Sequence, residues 1–191
     1  MGRYYTYTGH EAHLFNLAVA EAIEKYDLAR FVFGGEDLCS SVGPICSPST
    51  LQRYYFPALQ HAVEPLMDHG IGIVWHCSGN VLPILDDLTR AGVVGFHGFP
   101  EDGGLTLEEM ASACTAEGHK SILWGSVSTS TTLPYGSVED VKADVERCFD
   151  LASPGGGFVL AASDAIVAET PMENILALFE HGREYGRRIL A

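Results

Sequence analysis

The sequence predicts an α/β fold of five strand–helix units arranged around a parallel sheet. Three observations carry this expectation: short apolar runs alternate with longer amphipathic segments, hydroxyl–carboxylate pairs open those segments, and glycines close them. The runs are Phe31 to Gly34, Ile71 to Trp75, Val93 to Phe96, Ser121 to Trp124 and Phe158 to Ala161. Each is short and almost continuously apolar, as suits parallel strands covered on both faces. Ser47 followed by Pro48 is a helix start, with a capping hydroxyl before a first-turn proline. Thr106 with Glu109, Ser137 with Asp140, and Thr170 with Glu173 have the spacing of a capping box. Gly70, Gly92, Gly118 and Gly155 mark helix ends. Strand–helix–strand units in series cross over right-handed and build a parallel sheet, either open or part of a barrel. No G-x-G-x-x-G follows any strand, which removes the dinucleotide fingerprint. No linker or break in composition divides the chain, so residues 1–191 are read as one domain.

Composition narrows the function classes. A net charge of -14 argues against nucleic acid and anionic membrane surfaces as partners. With 47% hydrophobic and 19% charged residues the chain has the makings of a core and not of a disordered segment. No run approaches the roughly 18 apolar residues of a membrane span. The N-terminal MGRYYTYTGHEAH lacks the pattern of a secretory signal. The five cysteines are odd in number and show no CxxC spacing, so a reduced, cytoplasmic setting is expected rather than a disulfide framework.

In either parallel-sheet architecture the functional edge is the C-terminal end of the strands. Polar residues collect there: Gly34-Gly35-Glu36-Asp37, then His76-Cys77-Ser78-Gly79-Asn80, then His97 with Glu101 and Asp102, then Gly125-Ser126, then Ser163-Asp164. Glu36 and Asp37 suit a general acid/base, a metal ligand or a substrate clamp; bracing of the following loop is the plainer role. His76, directly after an apolar strand, suits a metal or a substrate carboxylate. Its neighbour Cys77 should point the other way, into packing against a helix. His97 is divided evenly between site and structure, and Asp164 between facing His76 and closing a turn. Asn80 and Ser126 are candidate substrate contacts. Cys39, Cys46, Cys114 and Cys148 show no partner pattern, and His10 and His13 share one exposed helix face if a helix begins there.

The ordered segments GGEDL, GPICSPSTLQRYYFPALQ, WHCSGNV, LWGSVSTSTTLPYGSVEDV and GGFVLAASDAIVAETPMENI resemble the second half of the uroporphyrinogen decarboxylase superfamily. The likeness runs from about residue 10 onward and is closer to the methylcobamide-dependent methyltransferase branch than to the haem-pathway decarboxylase. It implies five βα units of a (β/α)8 TIM-type barrel, with the first three strands lacking. A homo-oligomer, or a separate chain supplying those strands, is therefore expected as partner. In the methyltransferases zinc is held by a His-x-Cys pair and a later Cys. Here His76 matches the histidine, Ser78 stands at the first cysteine, and Asp164 lies in the region of the second. The resemblance thus implies zinc or another divalent metal on His76 and Asp164, and a cobamide carried by a partner. It gives His76, Glu36 and Asp164 catalytic roles, while Asp37, His97, Ser126 and Asn80 meet the substrate. Methyl transfer is the first expectation. A cofactor-free decarboxylase is second, although only eleven Lys and Arg occur and none stands beside the rim motifs. A non-catalytic, barrel-derived binding or assembly domain is third.

Overall fold

The computed structural model describes residues 2–98, 101 and 104–189. A long helix, α1 (Gly2–Lys25), precedes the first strand, β1 (Phe31–Gly35). A two-residue antiparallel pair follows, β2 (Cys39–Ser40) and β3 (Gly43–Pro44). Next come α2 (Pro48–Thr50), one π-helical turn (Leu51–Tyr55) and α3 (Phe56–Asp68), then β4 (Gly72–His76), α4 (Leu85–Arg90) and β5 (Val93–His97). The chain continues through α5 (Leu107–Ala111), β6 (Ile122–Val127), α6 (Thr132–Tyr135), α7 (Val138–Ala152), β7 (Phe158–Ala162) and α8 (Met172–Ile189).

The five long strands form one parallel sheet in the order β1-β4-β5-β6-β7. All five strands expected from the apolar runs are present, and they are the five consecutive strands of a partial (β/α)8 barrel. Every strand ends at least one residue beyond its apolar run, and β4 and β6 also start one residue later. β4 starts at Gly72 because the Ile71 N–H is taken by the Leu66 carbonyl at the end of α3, 2.8 Å away. β6 runs on to Val127, pairing with β7 as far as Ala162. The glycines at 70, 92, 118 and 155 all have positive φ. Among the described residues no helix is long and apolar enough to cross a membrane.

Capping boxes close at Thr106 with Glu109 and at Ser137 with Asp140, and the Ser47 hydroxyl accepts from the Thr50 N–H. The third expected box, Thr170 with Glu173, does not form. The Pro171 carbonyl accepts the first helical N–H groups, those of Asn174 and Ile175, so α8 begins one residue too late for Thr170 to cap it. The Thr170 hydroxyl is buried and has no hydrogen-bond partner among the described residues.

Helices cover the outer face of the sheet, where Leu123, Val141, Val145 and Leu178 are fully buried. The inner face is open at both ends: Phe31 and Phe33 on β1 are 43% and 54% exposed, and Val159 on β7 is 43% exposed. In the register, Phe33 lies beside Val74 and Val159 beside Trp124, so these side chains share the face that a closed barrel would enclose.

Candidate active site at the strand C-terminal ends

Parallel pairing sets Gly35, His76 and His97 side by side at the ends of β1, β4 and β5. The two imidazoles meet Nδ1 to Nδ1 at 2.8 Å. Gly98 makes that meeting possible: its φ is 82°, and a Cβ there would fall 2.5 Å from His76 Nδ1. Beneath the pair, Phe33 presents its ring edge to His97 and to Trp124, with centroids 5.2 and 5.6 Å apart. The histidines therefore stand on an aromatic floor.

On the other side of His76, Nε2 lies 3.3 Å from the Ser78 hydroxyl, which donates to Asp164 Oδ2 at 2.7 Å. Asp37 Oδ1 accepts the Ser78 backbone N–H at 2.9 Å and sits 3.8 Å from His76 Nε2. The proton order follows from counting donors. Ser78 has one proton and gives it to the carboxylate, so it can only accept from His76 Nε2–H. With neutral rings His76 Nδ1 must then accept from His97 Nδ1–H. Every bond in the chain His97–His76–Ser78–Asp164 points toward the acid.

The electrostatics agree with that polarity. Burial pushes the Asp164 carboxyl up. The Ser78 hydroxyl, the Ala165 N–H and the two histidines outweigh it and hold the group below the usual carboxylate range. Burial, then the charge of His76, pushes His97 down, against the pull of Asp164. A depressed carboxyl contributes stability that is complete above its unfolded value, about 3.9, and is lost as pH falls through the folded one. The stability difference between the parent chain and Asp164→Asn should therefore be constant above about pH 5 and shrink below about pH 4. Denaturant melts at several pH values measure it; a difference independent of pH would show that Asp164 has no special environment.

Other expected site residues go elsewhere. Glu36 points away from Asp37, as neighbours in an extended segment do. It lines a cavity of about 650 Å³ between α1, β1 and α3, with Phe15, Asn16, Val32, Tyr55 and Val63. Burial there raises its carboxyl, with the Tyr55 hydroxyl opposing. Asn80 braces its own loop, its Oδ1 accepting the Leu82 N–H and its Nδ2 reaching the Gly104 carbonyl. Ser126 is buried, and its hydroxyl bonds to no member of the cluster. Glu101 is held by Arg147 and caps the Leu107 N–H, a structural role; Asp102 lies outside the described residues. Cys77 does turn away from His76, but it meets the Cys39 thiol, which raises Cys39 and lowers Cys77. The residue that sequence reasoning undervalued is Ser78, the link between His76 and Asp164.

His76 and Asp164 are joined through that hydroxyl rather than facing one another as a ligand pair. Among the described residues, the group with three ligand atoms within 4.8 Å of one another is His13, His61 and Glu64, on α1 and α3 rather than at the strand ends.

Five parallel strands in chain order, without the reversal of an open doubly wound sheet, and a polar cluster at their C-terminal ends define the barrel class of fold. Residues 31–185 match the family model described as uroporphyrinogen decarboxylase (URO-D), and the chain belongs to that family. It is 31% identical over 173 residues to the methylcobamide:CoM methyltransferase MtaA of Methanosarcina barkeri (strain Fusaro / DSM 804), covering 87% of this chain and 47% of the relative. A second Methanosarcina barkeri protein of the same name is 31% identical over 161 residues, 81% of this chain and 43% of its own. A solved methyltransferase from Methanosarcina mazei superposes with a TM-score of 0.68 at 25% identity, covering 93% of this chain and 47% of that one. The chain thus spans about half the length of these relatives.

Proposed function

We propose that the chain carries the acceptor side of a methyl-transfer site, in which a small thiol or other nucleophile loses its proton to the His76–His97 pair. The observation that carries this reading is the convergence of His76, Ser78 and Asp164 through hydrogen bonds of 3.3 and 2.7 Å. These are the residues at which the family resemblance puts the metal ligands of the methyltransferases. The similarity to two methylcobamide:CoM methyltransferases supports a methylated cobamide as donor.

A zinc ion in such a place would fall to His76, Ser78 and Asp164. The residues do not fit a thiolate zinc centre, because both sulfur positions carry oxygen and the Ser78 hydroxyl already gives its proton to Asp164. The chemistry is therefore assigned to protons. The acceptor's X–H bond breaks and its proton goes to the histidine pair; X takes the methyl group, and the donor keeps the electron pair of the bond that breaks. Protonated His76 then has Asp37 at 3.8 Å and Asp164 beyond Ser78. Two carboxylates orienting and stabilising one imidazolium is the logic of a general base held by acid partners. Phe33 and Trp124 give the lower side an apolar surface. Among the described residues no Lys or Arg bonds to the cluster, which leaves a polycarboxylate substrate without a cationic partner.

Mixing the chain with methylcobalamin and a small thiol, and following the corrinoid spectrum, tests the reading. Demethylation should exceed the uncatalysed rate and fall by about 100-fold in His76→Ala. Equal rates with and without His76 would refute it.

A further inference from the structure

A second group of side chains, on the outer surface and remote from the rim, is arranged as a ligand set. Helices α1 and α3 touch closely where Gly9 meets Ala58; a Cβ on Gly9 would lie 3.1 Å from the Ala58 carbonyl oxygen. That approach brings His13 of α1 over His61 and Glu64 of α3, the latter two one helical turn apart on one face. The His13 and His61 rings stack with centroids 4.3 Å apart and planes 14° from parallel. Glu64 Oε2 lies 3.4 Å from His61 Nδ1 and 3.8 Å from His13 Nδ1. One ligand atom from each residue falls within 4.8 Å of the others. His10, one turn before His13, holds its ring parallel to His61 at 6.1 Å, a fourth imidazole alongside.

The position of His13 has a backbone cause. Pro65 stands inside α3 and has no N–H, so the His61 carbonyl lacks the donor that position i+4 normally supplies. His13 Nδ1 fills that place at 2.8 Å. The bond fixes the tautomer and leaves the lone pair on Nε2, and a carbonyl accepting the second ring N–H is the usual support of a metal-bound histidine. Asn16 Nδ2 donates to the next carbonyl, that of Ala62, at 2.7 Å, so α1 is pinned along this line.

We propose that His13, His61 and Glu64 bind a divalent transition-metal ion that clamps α1 to α3. Two imidazoles with one carboxylate suit zinc, nickel or copper; magnesium and calcium ask for oxygen ligands throughout. Metal–ligand bonds of about 2.0–2.2 Å require the two rings, now stacked 14° from parallel, to turn so that His13 Nε2 and a His61 nitrogen meet one ion beside Glu64, a rotation their exposure allows. The side chains are 22%, 46% and 57% exposed, so an ion enters without unfolding and keeps water in a remaining position. Because α1 forms one wall of the cavity that holds Glu36, the clamp fixes the width of that cavity. Protons compete with the ion for the imidazoles, so binding weakens in acid.

Isothermal titration of zinc chloride into the whole chain tests the site, beside His61→Ala, Glu64→Gln, His76→Ala and Asp164→Asn. The expected result is one saturable site that disappears in His61→Ala and weakens about tenfold or more in Glu64→Gln. It should persist in His76→Ala and Asp164→Asn, and saturating zinc should raise the melting temperature by about 5 °C only where the site is intact. Glu64→Gln keeps shape and exposure, so it reports on binding even if the alanine variant folds poorly. No saturable binding to the parent chain, binding that survives both α3 substitutions, or binding lost with His76 would each overturn the proposal.

Discussion

Replacing Ser78 and Asp164 together by cysteine should turn the rim cluster into a tight zinc site. The parent chain offers one imidazole, one carboxylate and a neutral hydroxyl, and the hydroxyl is occupied by its bond to Asp164. The positions are nevertheless right: His76 Nε2, Ser78 Oγ and Asp164 Oδ2 follow one another at 3.3 and 2.7 Å. Three ligands around zinc at 2.0–2.3 Å stand roughly 3.5 Å apart, so sulfur in place of the two oxygens needs little movement of the backbone. Thiolates add charge and softness that zinc prefers, and tetrahedral sites of this kind are worth about 10 kcal/mol or more. That corresponds to dissociation constants of roughly tens of nanomolar. Competition with a chromophoric chelator measures the gain, and cobalt substitution should bring the intense near-ultraviolet bands of a thiolate–metal bond. A double variant that binds zinc no better at the rim than the parent would show that His76 is not oriented for a ligand role. Titration in a His61→Ala background separates this gain from binding at the α1–α3 cluster.

The 191-residue chain by itself should associate at micromolar concentration. Both end strands of the sheet present unpaired backbone groups along one edge, which is the usual route to pairing with another chain. The apolar residues of the inner face add to it, since Phe31, Phe33 and Val159 are each about half exposed. Covering one such side chain is worth about 2 kcal/mol, close to thirtyfold in an association constant. Phe31→Asp on β1 and Val159→Asp on β7 should each weaken self-association by about that factor, and the pair together by more. Sedimentation velocity over a concentration series reads the result. A monodisperse monomer with a cooperative melt would mean that the inner face is protected without any partner.

The strands were legible because both of their faces are apolar, the outer one against helices and the inner one toward the barrel interior, which leaves an unbroken apolar run. The rim was legible for the same reason: a polar residue directly after such a run has to stand at the strand end, as His76, His97 and Asp164 do. What stayed hidden depends on contacts remote in sequence. Ser78 reads as a mismatch beside a family pattern until Asp164, 86 positions on, is seen to accept its proton. Cys39 and Cys77 lie on separate segments with no spacing to announce them. Glu36 and Asp37 cannot be separated by composition, yet one faces the cavity under α1 and the other the histidines. His13 reads as an exposed residue of α1, and nothing near it in the sequence points to the carbonyl that Pro65 sets free. The β2–β3 pair is two residues per strand, too short to leave a periodic signature.

Trp124 gives the rim an optical readout. Its ring stands edge-on to His97, with centroids 6.0 Å apart, and Phe33 touches both. An imidazolium quenches indole emission on contact by accepting charge from the excited ring, whereas a neutral imidazole does so weakly. The chain has two tryptophans, and Trp75 faces the helix layer in the buried core, away from the histidines. Emission should therefore drop in a single step as His97 takes up a proton. Because burial and His76 depress that group, the step lies below the ordinary histidine value of about 6.5. A nucleophile whose proton rests on His97 would darken Trp124 at constant pH, and one whose proton passes on to His76 would leave it bright, so the resting place of the proton becomes visible without an assay for product.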